Sequence, residues 1–259
     1  MNPVVSLQDR TFVITGAGQG IGLEVVIQLC KEGYFVIWNE IDPSVFKTAA
    51  QQLEKHLLTN QLGILGDSSS ELFLNDLADT INNTPGTLYG CVCNSGITTF
   101  GGFLDYPRES MDTLLKVNVS GTFFLIQFIA QRLKESNTKG SIVVTTSVTG
   151  HQAHPDLVAY GMTKGALIQL VRNLVVELSP LGIRINAISP GATLTERTAL
   201  ISDFESQWTK ITPMGTIADV TDISNSISFM LSDKSRQITG QTLIVDGGWT
   251  SYSPPPGSV

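Results

Sequence analysis

Seven short runs of β-branched and apolar residues recur along this chain, and most are separated by longer stretches with helical periodicity. The runs are Thr11–Thr15, Phe35–Trp38, Leu62–Gly66, Leu88–Cys93, Ser141–Thr146, Ile183–Ser189 and Leu243–Asp246. Strands that alternate with helices are joined by crossovers, so the pattern predicts an α/β fold with a parallel seven-stranded sheet, doubly wound, with helices on both faces. The rhythm is unbroken, and no linker-like segment interrupts it, which predicts one domain over residues 1–250. The 259 residues, 42% of them hydrophobic, are enough to bury its core. Residues 251–259 carry three consecutive prolines and read as an extended or disordered tail. Leu167, Leu170, Val171, Leu174, Val175 and Leu178 recur at three- and four-residue spacing, predicting a helix that starts near Tyr160 and is closed by Pro180. The interval from Ala192 to Gly215 carries a weaker helical pattern through Leu200, Phe204 and Trp208. Lying beyond the sixth strand, it is placed to cover a ligand.

Charge narrows the partners. A formal net charge of −7 repels polyanions at long range and disfavours nucleic acid or an anionic membrane as partner, while leaving room for an anionic cofactor at a local site. Three cysteines, Cys30, Cys91 and Cys93, with no C-x-x-C, suggest neither a disulfide framework nor a zinc site. On a strand Cys91 and Cys93 would share one face as buried free thiols. The N-terminal residues lack a basic region followed by an apolar stretch, and no uninterrupted apolar run reaches the length of a membrane span, so the expectation is a soluble, cytoplasmic protein.

Directly after the first strand comes Thr15-Gly16-Ala17-Gly18-Gln19-Gly20-Ile21-Gly22, opening a helix. Glycines at such a turn let the backbone bend sharply and approach a pyrophosphate, whose charge the free N–H groups and helix dipole attract. Between a first strand and a helix, the turn is the mark of a Rossmann-type dinucleotide site, with Gly16, Gln19, Gly20, Ile21 and Gly22 as its contacts. Glu40 follows the second strand, eighteen residues after Gly22, where a carboxylate would bond the adenosine ribose and repel a 2′-phosphate. Positions 17, 19, 39 and 41 offer no cation, so the reading is NAD rather than NADP. Asp42 competes with Glu40 for that role, and Asp67, ending the third strand, is placed to face the adenine.

Tyr160 and Lys164 stand four residues apart, on one helical face. A free phenol ionises near pH 10, so at neutral pH only roughly one in a thousand is the phenolate that accepts a proton, and a cation nearby favours that form. Ser147 ends the fifth strand, thirteen residues before Tyr160, on the ligand side of such a sheet.

From about Thr11 to Gly248 these residues resemble the short-chain dehydrogenases/reductases. The family's T-G-x-x-x-G-x-G turn matches Thr15 to Gly22, its Ser and Tyr-x-x-x-Lys match Ser147, Tyr160 and Lys164, its further Asn matches Asn118, and its P-G after the sixth strand matches Pro190-Gly191. The resemblance implies hydride exchange between a secondary alcohol or carbonyl and a nicotinamide, with Tyr160 as general acid/base. Lys164 would assist Tyr160 and contact the nicotinamide ribose, Ser147 would orient the reacting oxygen, and Asn118 would hold a water that links Lys164 to solvent. Tyr160, Lys164, Asn94, Gly96, Pro190, Gly191, Thr193 and Thr195 join the cofactor contacts, and a homotetramer is implied, with the helix bearing Tyr160 and the last strand in subunit contacts. The tail is expected to pack on a neighbouring subunit. Two positions depart from the family: Cys93 stands where it has Asn, and Thr216 where Arg is common.

For the substrate the residues leave alternatives open. The polar segment Thr149–Asp156, tethered between Ser147 and Tyr160, would suit a sugar or polyol. Phe100, Phe103, Trp208 and Met214 would instead suit a hydroxysteroid or aromatic ketone. His151 and His154, without further ligands at metal spacing, do not make a metal site. A non-catalytic dinucleotide sensor is the reading from another class, disfavoured by the intact Ser147, Tyr160, Lys164 and Asn118; an acyl-transfer enzyme is excluded by the absence of a G-x-S-x-G elbow.

Overall fold

A computed structural model describes residues 9–253. The seven expected strands form one sheet of parallel pairs, built from β1 (Arg10–Ile14), β2 (Phe35–Glu40), β3 (Gln61–Leu65), β4 (Thr87–Cys93), β5 (Ser141–Thr145), β6 (Arg184–Pro190) and, last in the chain, β9 (Thr242–Val245). Their order is β3-β2-β1-β4-β5-β6-β9. The chain starts in the middle, winds outward to β3, then returns to β4 beside β1, and at that reversal the carboxyl ends of β1 and β4 diverge into a crevice. A second sheet consists of two two-residue strands, β7 (Thr193–Leu194) and β8 (Ala218–Asp219).

Both faces are covered, because strands buried on two sides need two apolar layers. On one side α1 (Gly20–Lys31), α2 (Pro43–Lys55) and α8 (Val220–Leu231) bring Val26, Leu29, Leu53 and Ile227 onto Phe12, Ile14, Val36 and Trp38. On the other, α3 (Glu71–Asn83), α5 (Thr122–Glu135) and α6 (Val158–Leu178) bring Leu77, Ile129, Leu133 and Val171 onto Val13, Ile142, Val144 and Ile185. Cys91 and Cys93 are buried on that side with sulfurs 3.6 Å apart. Between α4 (Arg108–Leu114) and α5 the helix widens into a π-helical stretch, Leu115–Gly121, without breaking. The whole span Arg108–Glu135 is long and apolar enough to cross a membrane by length and composition; Leu125, Ile126, Ile129 and Leu133 within it are buried in the core below the sheet. The helix predicted from its apolar spacing is α6, which gives way to a 3₁₀ turn at Ser179–Leu181 containing Pro180. In the interval after β6, α7 (Phe204–Ile211) forms, with none of its residues buried. The tail begins inside a 3₁₀ turn, Trp249–Ser251, and residues 254–259 lie outside those described.

The amino-end edge of the sheet is fastened by two arginines. Arg184 donates to the carbonyls of Met230, Leu231 and Ser232, satisfying the last turn of α8. Arg10, 4% exposed, pairs through both terminal nitrogens with Asp233 at 2.8 and 3.2 Å, and its guanidinium lies 4.0 Å over the Tyr89 ring. The Arg10 hydrogen bonds and charge outweigh burial and hold the Asp233 carboxyl below its ordinary value. A depressed carboxylate stabilises the fold above the unfolded-state value and loses that contribution as pH falls through the folded-state value. Asp233→Asn should therefore cost about 1–2 kcal/mol at neutral pH, discounted for the solvent on the Asp233 side. In denaturant titrations of variant and parent, the difference should shrink as the pH is lowered below about 4, the ordinary carboxylate range.

Candidate active site

The glycine-rich turn is stitched to its neighbours by backbone groups that a strand end leaves unpaired. Asn94 Nδ2 donates to the carbonyls of Thr15 (3.2 Å) and Gly16 (2.9 Å), and the N–H groups of Asn94 and Ser95 donate to Thr15 Oγ1, both at 3.2 Å. From the other side, buried Asn39 donates to the carbonyls of Ile64 and Gly66 and accepts from the Gly16 N–H. The packing leaves no room for a side chain at position 22: a Cβ on Gly22 would lie 2.4 Å from the Gly16 carbonyl oxygen and 2.7 Å from Asn94 Nδ2. The result is a helix α1 whose N-terminus opens on a cleft of about 660 Å³, with no side-chain cap from Gln19. Gly16, Gln19, Gly20, Ile21, Gly22, Glu40, Asp67, Asn94, Gly96 and Thr195 all line it. A glycine cradle, a helix N-terminus with no cap from its own flanking residue and a carboxylate at the end of β2 form a set that fits a dinucleotide: phosphates on the N–H groups, a ribose on the carboxylate.

The two carboxylates expected to compete for a ribose, Glu40 and Asp42, are placed differently. Asp42 is spent as the cap of α2, accepting from the N–H groups of Ser44 (2.7 Å) and Val45 (3.2 Å), and the Ser44 hydroxyl, with those N–H groups, holds its carboxyl below the ordinary value. Glu40 is 8% exposed and lines the cleft; its Oε1 accepts from the Ile41 and Asp42 N–H groups at 2.7 and 3.0 Å, which fixes the carboxylate in place. Asp67 accepts from the Ser69 N–H and hydroxyl, and Lys116 Nζ lies 3.6 Å from its other oxygen. Burial pushes that carboxyl up, but the Ser69 hydrogen bonds and Lys116 outweigh it, and the group stays below its ordinary value.

Ser147, Tyr160, Lys164 and Asn118 do not themselves line this cleft; they stand where the turn after β5 packs against α6 and the π-helical stretch. Ser147 follows β5, and its Oγ accepts from the Thr149 N–H (3.2 Å) and hydroxyl (2.9 Å). With those acceptor positions used, the Ser147 proton is left to donate outward. Helix α6 approaches this turn so closely that a Cβ on Gly161 would lie 2.7 Å from the Thr149 carbonyl oxygen. Lys164, 3% exposed, donates to the Thr145 carbonyl at 2.9 Å, and its Nζ is 5.6 Å from the centre of the Tyr160 ring. The Tyr160 hydroxyl makes no hydrogen bond among the described residues. Asn118 is wholly buried in the π-helical stretch: Oδ1 accepts from the Ile97 N–H at 2.8 Å, and Nδ2 donates to the Ile97 carbonyl and Thr163 Oγ1 at 2.9 and 3.1 Å. A Cβ built on Gly96 would lie 3.3 Å from Lys164 Nζ and 3.4 Å from Asn118 Oδ1, so both flank the cleft wall.

The remaining candidates lie elsewhere. Pro190, Gly191 and Thr193 do not line the cleft; Thr193 is buried and turns its hydroxyl to the Gly191 carbonyl at 3.1 Å. His151 is bonded to Ser189 Oγ (2.9 Å), whereas the His154 ring lies near-parallel to Trp208, 5.9 Å away, and Trp208 also meets Trp249 at 5.4 Å. Phe100, Phe103 and Met214 are exposed. Sequence reading missed Glu196, whose carboxylate accepts from the Gly20 N–H at 2.9 Å across 176 residues of sequence. No local pattern announces such a pairing. It also missed Asn39 and Lys116, whose residue types carry no signal until the loops are assembled.

Asn118→Ala would strand the Ile97 N–H and carbonyl without partners, and the change should cost about 2–3 kcal/mol. The denaturation midpoint of the variant, compared with that of Lys116→Ala at the exposed neighbour, checks it.

Comparison with known proteins agrees with this geometry. A family model described as enoyl-(acyl carrier protein) reductase matches residues 16–250. L-rhamnose 1-dehydrogenase (NAD(P)(+)) of Azotobacter vinelandii is 29% identical, covering 93% of this chain and 97% of that protein. A 3-oxoacyl-[acyl-carrier-protein] reductase of Staphylococcus epidermidis is likewise 29% identical, covering 93% and 98%. The crystal structure of a short-chain type dehydrogenase/reductase from Mycobacterium marinum superposes with a TM-score of 0.87 at 26% identity, covering 95% of this chain and 99% of that one. With its parallel sheet, glycine-rich turn and matched family model, the chain belongs to the short-chain dehydrogenases/reductases, NAD(P)-dependent oxidoreductases of alcohols and ketones.

Proposed function

We propose that this chain is an NAD-dependent dehydrogenase of secondary alcohols, with Tyr160 as the proton-transfer group and a sugar or polyol as substrate class. The observation that carries the reading is a glycine-lined cleft holding the Glu40 carboxylate, with Lys164, beside the Tyr160 ring, and Asn118 both packed behind its wall residue Gly96. A nicotinamide held by the glycine-rich turn and Glu40 would supply hydride transfer to or from the carbinol carbon. In oxidation the alcohol proton passes to the Tyr160 oxygen; in reduction Tyr160 returns it. Ser147, its oxygen already accepting from Thr149, donates its proton to the reacting oxygen and so holds it at the phenol. Lys164 supplies positive charge beside the phenol ring from a position locked by the Thr145 carbonyl.

Glu40 supports NAD over NADP, because a buried, immobile carboxylate repels a 2′-phosphate and positions 17, 19, 39 and 41 bring no cation to offset it. The sugar or polyol assignment is supported by the polar Thr149–Asp156 segment and by the rhamnose dehydrogenase among the relatives. Exposed Phe100, Phe103 and Met214 favour the second reading, a hydroxysteroid or aromatic ketone. In this account residues 1–250 act as one domain in a cytoplasmic homotetramer; exposed Phe123, Phe124, Met162 and Val176 on α5 and α6 supply apolar surface for subunit contacts.

Absorbance at 340 nm should rise with NAD, more than with NADP, when the protein meets a panel of sugars, polyols, hydroxysteroids and simple secondary alcohols. Tyr160→Phe should retain cofactor binding and lose at least about 100-fold in turnover, the range of a general acid/base. A Phe variant of near-normal rate would show that another group moves the proton.

A further inference from the structure

We propose that Glu196 is a latch on the cofactor cleft: its carboxylate holds the Gly20 N–H at the start of α1, a group that a bound pyrophosphate also claims, so the two compete. The inference rests on the dinucleotide reading of the cleft. Helix α1 has no acidic residue in its first turn and no side-chain cap from Gln19, so its N-terminal N–H groups and dipole draw an anion from elsewhere. The anion is supplied by Glu196, 176 residues away in sequence, with Oε2 2.9 Å from the Gly20 nitrogen. Thr195, Glu196 and Arg197 form one wall of the cleft.

The segment is tied to itself more than to the body. Thr198 Oγ1 donates to the Thr193 carbonyl (2.8 Å) and accepts from the Thr195 N–H (2.8 Å), while the Thr198 N–H donates to Thr195 Oγ1 (3.2 Å), so residues 193–198 are tied to one another. Their attachment to the body is light. Glu196 is exposed, β7 contributes a two-residue pairing with β8, and the following α7 buries none of its residues. A carboxylate on such a segment is well suited to close the cleft and to yield to a stronger anion, since two negative groups crowded at one N–H repel each other.

Two measurements of opposite sign test the latch on the whole chain. Glu196→Gln removes a carboxylate from a helix N-terminus, so without cofactor its melting temperature should fall by about 1–3 °C. The same variant should bind NADH and ADP-ribose about two- to fivefold more tightly by calorimetry, a gain that fades at high salt. Asp203→Asn makes the same charge change nearby without touching Gly20 and should leave both affinities unchanged. Unchanged or weaker affinity in Glu196→Gln, with the parent binding normally, overturns the latch and leaves the cofactor reading standing. An equal gain in Asp203→Asn also overturns it, since general charge would then explain the effect. If the parent binds neither NADH nor NADPH, the cofactor reading falls and the latch falls with it.

Discussion

Lys164 carries its amino group into the protein interior, makes no ion pair among the described residues, and donates to the Thr145 carbonyl at the end of a central strand. Burying an ammonium costs several kcal/mol unless polar groups face it. The surroundings must therefore be held in place, and much of the local architecture does this. The close approach at Gly161 seats α6 on the turn that follows Ser147, Thr163 bonds Asn118, and Asn118 fixes Ile97 at the cleft wall. Each contact depends on a small residue or on a side chain whose hydrogen-bonding groups are fully engaged. The tolerance for change in this region is correspondingly low.

Dense and sparse packing are separated in space. The body is fastened by two apolar layers and, at the amino-end edge of the sheet, by the arginines that pin Asp233 and the end of α8. The cover, from Thr193 to α7, is held by a two-residue strand pair, hydroxyl bonds within itself, the Trp208 contacts and the Glu196 carboxylate. A rigid floor that fixes reacting groups, with a lightly held cover that admits ligand, is what a cleft between strand ends and a following insertion provides.

How much of this the sequence discloses depends on the range of the interactions involved. The seven strands were legible to within one or two residues because their signal is local: β-branched runs bounded by turn residues. The helix carrying Tyr160 was legible from its apolar spacing. The glycine-rich turn was legible because its glycines stand where the fold leaves no space for a Cβ, as at position 22. The choice between Glu40 and Asp42 was not settled by spacing; in the fold Asp42 caps α2, and Glu40 is the one lining the cleft. The π-helical stretch around Asn118 rests on backbone hydrogen bonding that the residue types there do not announce. His151 and Glu196 are engaged by partners 38 and 176 residues away, pairings set by the assembled loops rather than by any local sequence rule.

On the proposed reading a dinucleotide lies with its adenosine end on Glu40, its pyrophosphate on the N-terminus of α1 and its nicotinamide directed toward Tyr160. A crystal structure of the protein grown with NAD tests it most directly. The expected result is the adenosine ribose on Glu40, the phosphates at Gly20-Ile21-Gly22, and the nicotinamide ring beside Tyr160 and Lys164. A nucleotide bound in the reverse sense, or outside this cleft, would contradict it.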